Sequence, residues 1–188
     1  MIKRVIVIFI FIFILLNKQT QAKEDLMMLK LKDGDVIIEL FSDTAPNHVK
    51  RFKQLVSEKK YDGVVFHRVI DGFMAQTGDV EFGNSNLESY DIQQAGTGGS
   101  QYSDLKAEFS NIPHERGTLS MARSAHIDSA NSQFFICFQA APYLDRQYTV
   151  FGKVIQGMEF VDLIKKGQGA NGSVSDPDKI INLSAKLQ

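Results

Sequence analysis

Residues 66–79 read FHRVIDGFMAQTGD, and this stretch decides the fold. Two short apolar runs stand on either side of Asp71-Gly72, a pattern that indicates strands bounded by turn residues. We therefore predict strands over residues 64–70 and 73–76. Side chains two positions apart lie on the same face of a strand, so Met74 and Gln76 are expected to share one surface.

Similar segments recur along the rest of the chain. Residues 27–31 and 36–40 alternate apolar with polar side chains around Asp33-Gly34, which predicts a β-hairpin. Further short segments bounded by Gly, Pro, Asn or Asp bring the predicted strands to eight. They are residues 118–122, 133–138, 150–155 and 179–186.

Two segments have helical periodicity instead. After Pro46, which suits a first helical turn, apolar side chains recur at helical spacing. They are Val49, Phe52, Leu55 and Val56. Ser42, Asp43 and Thr44 offer capping oxygens before this helix. A second helix is predicted over residues 158–166, with Gly167 as its stop. Eight short strands with two helices predict a mainly β fold, a closed eight-stranded antiparallel barrel capped by the helices, rather than a parallel α/β sheet.

The N-terminus has the pattern of a secretory signal peptide. Lys3 and Arg4 precede twelve apolar residues, and a small-x-small pattern ends at Ala22. The apolar run is shorter than the roughly 20 residues that span a bilayer. We predict a signal peptide over residues 1–22, one domain over residues 23–188, no stable membrane insertion after processing, and an exported protein, in the periplasm or, alternatively, secreted into the medium. A retained N-terminal anchor is the alternative.

Composition excludes several classes of protein. Residues 23–188 have 18 basic and 22 acidic side chains, so nucleic-acid binding is not expected. Cys137 is the single cysteine and lies in an apolar run, which indicates a core residue. The histidines are too scattered for a zinc site, and no metal or cofactor is expected. The polar segment 83–108 is predicted to be a long surface loop, either functional or mobile.

The predicted strands place two kinds of group on one surface. Met74 accompanies Gln76, and Phe135 accompanies Gln133, so each strand presents one apolar group and one amide. Arg68 from the adjoining strand adds a cation. An apolar pocket beside a fixed donor suits a proline ring and its peptide bond. For Arg68 alone, a surface ion pair is the alternative interpretation.

Three blocks carry a resemblance to a known family: residues 66–79, then LSMA at 119–122 with SQFFI at 132–136, and VFGKV at 150–154. In this order they resemble the cyclophilins. The resemblance extends over the chain from about residue 27 and implies a peptidyl-prolyl cis-trans isomerase acting on proline-containing, unfolded or partly folded polypeptides of the export pathway. It also implies a monomer.

The resemblance further implies site residues. Arg68 would be the catalytic cation and Gln76 would orient it. The remaining positions would bind substrate: His67, Phe73, Met74, Ala122, Arg123, Gln133, Phe135, Tyr143, Leu144 and Tyr148. Many family members have Trp at the position of Tyr143, and weak binding of the drug cyclosporin is therefore expected. A binding module that uses the same pocket without turnover is the competing function.

Overall fold

The computed structural model describes residues 25–186, so the predicted signal peptide lies outside the described residues. Within this range the chain forms eight strands and two α-helices, and it is mainly β as predicted. The strands are β1 (Leu26–Lys30), β2 (Asp35–Leu40), β3 (Arg68–Ile70), β4 (Met74–Thr77), β5 (Thr118–Met121), β6 (Phe134–Cys137), β7 (Val150–Gln156) and β8 (Asn182–Ala185). The helices are α1 (Pro46–Ser57) and α2 (Met158–Asp162), and a 3₁₀ turn covers Pro142–Leu144.

All neighbouring strands are antiparallel, in the order β3-β4-β6-β5-β7-β2-β1-β8. The sheet is an open, curled half-barrel, so the predicted closed barrel is not confirmed. Its edges, β3 and β8, do not pair as a ladder. Residues 64–66, predicted as part of β3, lie outside its ladder. Phe66 donates to the Asp178 carbonyl and Val64 accepts from the Ile180 N–H, while the N–H of Val65 donates to Gly83. The segment makes only an isolated antiparallel bridge, between Val65 and Lys179, on this side.

The main core lies between one face of the sheet and α1. The helical periodicity is confirmed, since Val49, Phe52, Leu55 and Val56 are all buried. The ring of Phe52 lies 5.3 Å from that of Phe134 on β6 and 5.2 Å from that of Phe151 on β7. Edge-on and tilted contacts of this kind add to the burial energy of the rings. They fix α1 against the centre of the sheet.

The start of α1 differs from the prediction. Pro46 is its first residue, but Ala45 occupies the capping position and none of Ser42, Asp43 or Thr44 caps it. The Glu108 carboxylate instead accepts hydrogen bonds from the backbone N–H groups of Asn47 and His48, each at 3.1 Å. A distant carboxylate therefore satisfies the free donors of the first turn and suits the positive end of the helix.

The second helix is shorter than predicted. It ends at Asp162, because the N–H of Lys165 donates to the Asp178 carboxylate at 2.8 Å instead of continuing the helix. Within residues 25–186, no helix is long and apolar enough to cross a membrane.

Candidate active site

A second, smaller apolar cluster lies on the sheet face that points away from the main core. Met74, Phe135, Cys137 and Leu144 are buried in it, and Phe73 and Tyr148 pack at its margin. Alternation along β6 explains the division, because Phe134 and Ile136 face the main core while Phe135 and Cys137 face this cluster. The sheet thus has an apolar patch on each side.

The register of β3, β4 and β6 brings three side chains into one row. Arg68 lies opposite Gln76, and Gln76 lies opposite Phe135. They border a cavity of about 190 Å³. Its walls are Arg68, Phe73, Met74, Gln76, Ala122, Arg123, Phe135, Leu144 and Tyr148. The predicted shared face of Met74, Gln76 and Phe135 is therefore present, with Arg68 beside it.

Two neutral acceptors hold the Arg68 side chain. Its Nη1 donates to Gln76 Oε1 at 3.1 Å, and its Nε donates to the backbone carbonyl of Asn171 at 2.9 Å. Among the described residues, Nη2 has no hydrogen-bond partner. Nη1 also lies 3.9 Å from Met74 Sδ, so the oriented guanidinium borders the apolar wall.

The amide of Gln76 is held by Gln133. Gln76 Nε2 donates to Gln133 Oε1 at 3.0 Å, and Gln133 Nε2 donates to the carbonyls of Gly96 and Gly98 at 2.9 and 2.8 Å. Gly96 and Gly98 belong to the long loop predicted over residues 83–108. The loop therefore takes part in the site, as the functional alternative supposed.

The buried Asp79 carboxylate holds the backbone of this part of the loop by hydrogen bonds. It is fully buried, and its Oδ2 accepts the N–H groups of Gly96 and Gly98 at 2.7 and 2.9 Å. Its Oδ1 accepts those of Glu81 and Phe82, both at 3.0 Å. Four backbone donors compensate for burying the charge.

Arg123, Tyr143 and Tyr148 form the outer rim of the site. The Arg123 guanidinium lies over the Tyr148 ring, 4.6 Å from its centre, and Tyr148 contacts Phe135 edge-on at 5.8 Å. Tyr143 is 61% exposed and does not line the cavity, but its ring lies 5.7 Å from that of Phe73. Gln133 lines a second cavity, of about 200 Å³, which shares Gln76 and Arg123 with the first.

His67 is placed differently from the expectation. It lines neither cavity and is buried beneath Gly96, where a Cβ would come 2.8 Å from its Cδ2 atom. Adjacent strand residues face opposite ways, so the exposure of Arg68 to the cavity turns His67 inward. Burial lowers the pKa of His67 to about 4, against the opposing influence of Asp79. Neither ring nitrogen has a hydrogen-bond partner among the described residues.

Comparison with known proteins identifies the family. The model of the family described as "Cyclophilin type peptidyl-prolyl cis-trans isomerase/CLD" matches residues 26–185. The chain belongs to this family. It is a cyclophilin-type peptidyl-prolyl cis-trans isomerase domain, as the three sequence blocks predicted.

Curated relatives agree. The probable peptidyl-prolyl cis-trans isomerase of Brucella suis is 60% identical over 159 residues, covering 84% of this chain and 81% of that protein. The peptidyl-prolyl cis-trans isomerase of Helicobacter pylori strain J99 is 36% identical over 166 residues, covering 86% of this chain and 94% of that protein.

Solved structures have the same fold. The cyclophilin AquaCyp293 from Hirschia baltica aligns with a TM-score of 0.73 at 23% identity, over 87% of this chain and 74% of that one. A cyclophilin-type isomerase of Cryptosporidium parvum, crystallised in the presence of the dipeptide Ala-Pro, aligns with a TM-score of 0.73 at 27% identity, over 87% and 99% of the two chains.

One feature of this cyclophilin domain was missed in the sequence. His114 stacks on Phe135 with a centroid distance of 6.2 Å, and its ring nitrogens lie 2.9 Å from Asp145 Oδ1 and 3.0 Å from Ser120 Oγ. Ser120 has no exposed surface, so this Ser-His-Asp arrangement cannot present a nucleophile to a substrate. It supports Phe135 from behind. No local sequence pattern predicts this arrangement, because His114, Ser120 and Asp145 come from three separate segments.

Proposed function

We propose that this isomerase accelerates X-Pro rotation in exported polypeptides, with Arg68 acting on the twisted peptide bond. Rotation about an X-Pro bond breaks amide resonance, and uncatalysed exchange takes tens to hundreds of seconds. In the twisted state the proline nitrogen can accept a hydrogen bond that the planar amide cannot. A donor that is used only in that state lowers the barrier without tightening ground-state binding. The observation that supports this role is that Arg68 borders the apolar wall while its Nη2 has no hydrogen-bond partner within residues 25–186.

The other site residues divide the work of binding. We assign the proline ring to the apolar wall made by Phe73, Met74, Phe135 and Leu144. Gln76 orients Arg68, while Ala122, Arg123 and Gln133 meet the substrate backbone. The presence of Ala-Pro with the related Cryptosporidium protein supports proline-containing peptides as substrates. The proposed chemistry needs no covalent step or metal.

Two single substitutions test this division of roles. The exchange rate of an X-Pro peptide, measured by NMR, is expected to fall about 10²- to 10³-fold in Arg68→Ala, the usual effect of removing a donor that acts in the transition state. Arg116→Ala is the matched control, because Arg116 is exposed and pairs with Asp162 elsewhere. Phe135→Ala should weaken peptide binding. If Arg68→Ala kept full turnover while Phe135→Ala abolished binding, the assigned mechanism would be wrong.

Export is the second part of the proposal. The charged, apolar and small-x-small pattern of residues 1–22 supports a cleaved signal peptide and an exported mature protein. We place that protein in the periplasm, as a monomer, with release into the medium as the alternative location. N-terminal sequencing of the protein from fractionated cells should find Lys23 first, in the periplasmic fraction. A chain that begins at Met1 in the membrane fraction would establish the retained anchor instead.

A folding assay tests the role itself. Catalytic amounts of the mature protein should shorten the slow, proline-limited refolding phase of an exported protein. Arg68→Ala should lack this effect at equal concentration. A wild-type protein that suppresses aggregation but leaves the slow phase unchanged would act as a binding module and not as a folding catalyst.

A further inference from the structure

The two cavities of the site have an unusual charge for this protein. Residues 23–188 are acidic overall, with 18 basic and 22 acidic side chains. The residues that line the two cavities nevertheless include Arg68 and Arg123 and no Asp, Glu or Lys. None of the ion pairs formed within residues 25–186 involves either guanidinium. The site is therefore a positive patch on a negative molecule.

Arg123 is held in place without being neutralised. Its Nε and Nη2 donate to the backbone carbonyl of Gln147 at 3.2 and 3.1 Å, and its Nη1 donates to that of Ser124 at 2.9 Å. Its guanidinium plane is also supported by the Tyr148 ring. Carbonyls and an aromatic face fix the position of the cation but carry no net charge. Its positive charge remains to act on whatever enters the site.

The position of Arg123 decides what it can act on. It lines both cavities, as do Gln76 and Ala122. A peptide with proline in the first cavity that continues into the second must pass this guanidinium. Opposite charges attract strongly across a partly desolvated cavity, and like charges repel to a similar extent.

We propose that Arg123 selects substrates with an acidic side chain close to the proline, and disfavours those with a basic one. This inference rests on the proposed role of the site in X-Pro isomerisation and adds the class of substrate. The Arg123 guanidinium makes four hydrogen bonds to carbonyls with its five N–H groups. Too few remain for a bidentate pair with a carboxylate, so the selection is by charge rather than by a paired hydrogen-bond geometry.

Three series of peptides test the inference. Within each series the peptides are identical except for one residue, which is Glu, Gln or Lys; the series place it two residues before, one before or one after proline. NMR exchange gives kcat/KM without a coupling protease, whose own preference would interfere. In at least one series Glu should exceed Lys by about fivefold to tenfold at about 20 mM NaCl, and the ratio should shrink at about 0.5 M NaCl.

Variants then assign the effect to Arg123. The Glu-to-Lys ratio should fall to about one in Arg123→Gln and persist in Arg123→Lys, which keeps the charge but loses the planar contact with Tyr148. Arg116→Gln is the matched control and should keep the ratio of the wild type. The measured quantity is the ratio of kcat/KM for two peptides, so a variant that loses activity equally toward both does not change it.

The outcomes separate the inference from the proposed function. Equal exchange of the Glu, Gln and Lys peptides in all three series would overturn the selection by charge and leave the isomerase mechanism standing. A ratio that survives in Arg123→Gln with activity intact would assign the selection to Arg68, the other guanidinium of the site, and overturn the role of Arg123. A ratio that survives with an equal loss for all peptides would show that Arg123 only supports Tyr148. Absence of exchange with every peptide would overturn the proposed function as well.

Discussion

Gln76 donates a hydrogen bond from Nε2 to Oε1 of Gln133 over 3.0 Å, and this contact determines the orientation of both amides. Gln133 must turn its Nε2 toward the carbonyls of Gly96 and Gly98, so its oxygen faces Gln76. Gln76 must then turn its own oxygen toward Arg68. The orientation of the catalytic cation is thus linked to the conformation of the loop at residues 96–98.

Gln133→Glu should break this link. A carboxylate at position 133 can still accept from Gln76, but it cannot donate to the Gly96 and Gly98 carbonyls and would repel them. We expect kcat/KM to fall about 10- to 100-fold, since small misplacements of catalytic groups have effects of this size. NMR exchange on an X-Pro peptide measures it. Gln156→Glu makes the same change at an exposed position, and a similar loss there would contradict the linkage.

Asp79→Asn should destabilise the fold and loosen the loop. An amide at position 79 replaces one acceptor oxygen by an N–H group that faces backbone donors. We expect a loss of about 2–4 kcal/mol in the free energy of unfolding, with faster amide hydrogen exchange at Gly96 and Gly98. Denaturant titration and NMR measure the two effects. Glu88→Gln removes the charge of an exposed carboxylate of the same loop and should change stability little; unprotected Gly96 and Gly98 amides in the wild type would contradict the interpretation.

Burial of His67 predicts a loss of stability in mild acid. Its pKa is lowered from 6.5 to about 4 in the folded state, so between these values the unfolded chain binds more protons than the folded one. The stability that the neutral His67 contributes is fully present above pH 6.5 and is lost as the pH falls toward about 4. The total loss in the free energy of unfolding is about 3 kcal/mol. Denaturant titrations across this range measure it. His67→Leu should flatten the dependence, and the remaining slope includes His48, whose pKa is also lowered by burial.

Cys137 should not react in the folded protein. It has no exposed surface, and burial raises the pKa of its thiol to about 12. Since the thiolate is the reactive form, a thiol reagent should label the protein only after unfolding. Mass spectrometry with and without denaturant measures the labelling. Rapid, complete labelling under native conditions would show that the apolar cluster opens easily.

Cyclosporin should inhibit weakly. Tyr143 presents a phenol at an exposed rim position where many cyclophilins have an indole N–H donor. An inhibition curve on the purified protein measures this, and Tyr143→Trp should shift the curve to lower drug concentration. Tight inhibition of the wild type would contradict the expectation.

The parts of the site that follow strand alternation could be predicted from the sequence. Period-two alternation places Met74 with Gln76 and turns Phe135 to the same surface. The same rule turns His67 to the other side of the strand from Arg68, which agrees with its absence from the two cavity linings. Its role in substrate binding, implied by the resemblance, stays a prediction.

Other parts depend on contacts between distant segments. The sequence of the polar loop does not indicate that the carbonyls of Gly96 and Gly98 accept hydrogen bonds from Gln133. Every residue has a backbone carbonyl, so residue type does not show which carbonyl will accept. Closure of the barrel was not confirmed for a related reason: residues 64–66 look like a strand locally, yet they lie outside the ladder of β3 and meet residues 178–180 only around an isolated bridge. The cap of α1 likewise comes from Glu108, 60 residues beyond His48.

The hydrogen bond from Arg68 to the Asn171 carbonyl joins residues 103 positions apart. A nascent chain that lacks only residues 171–188 therefore has every residue of the apolar wall but not the carbonyl that holds its cation. Forming this contact closes a very long loop, which places it late in the order of folding. Catalytic activity would then require the complete, folded chain. A truncated or partly folded copy could bind proline-containing segments without isomerising them.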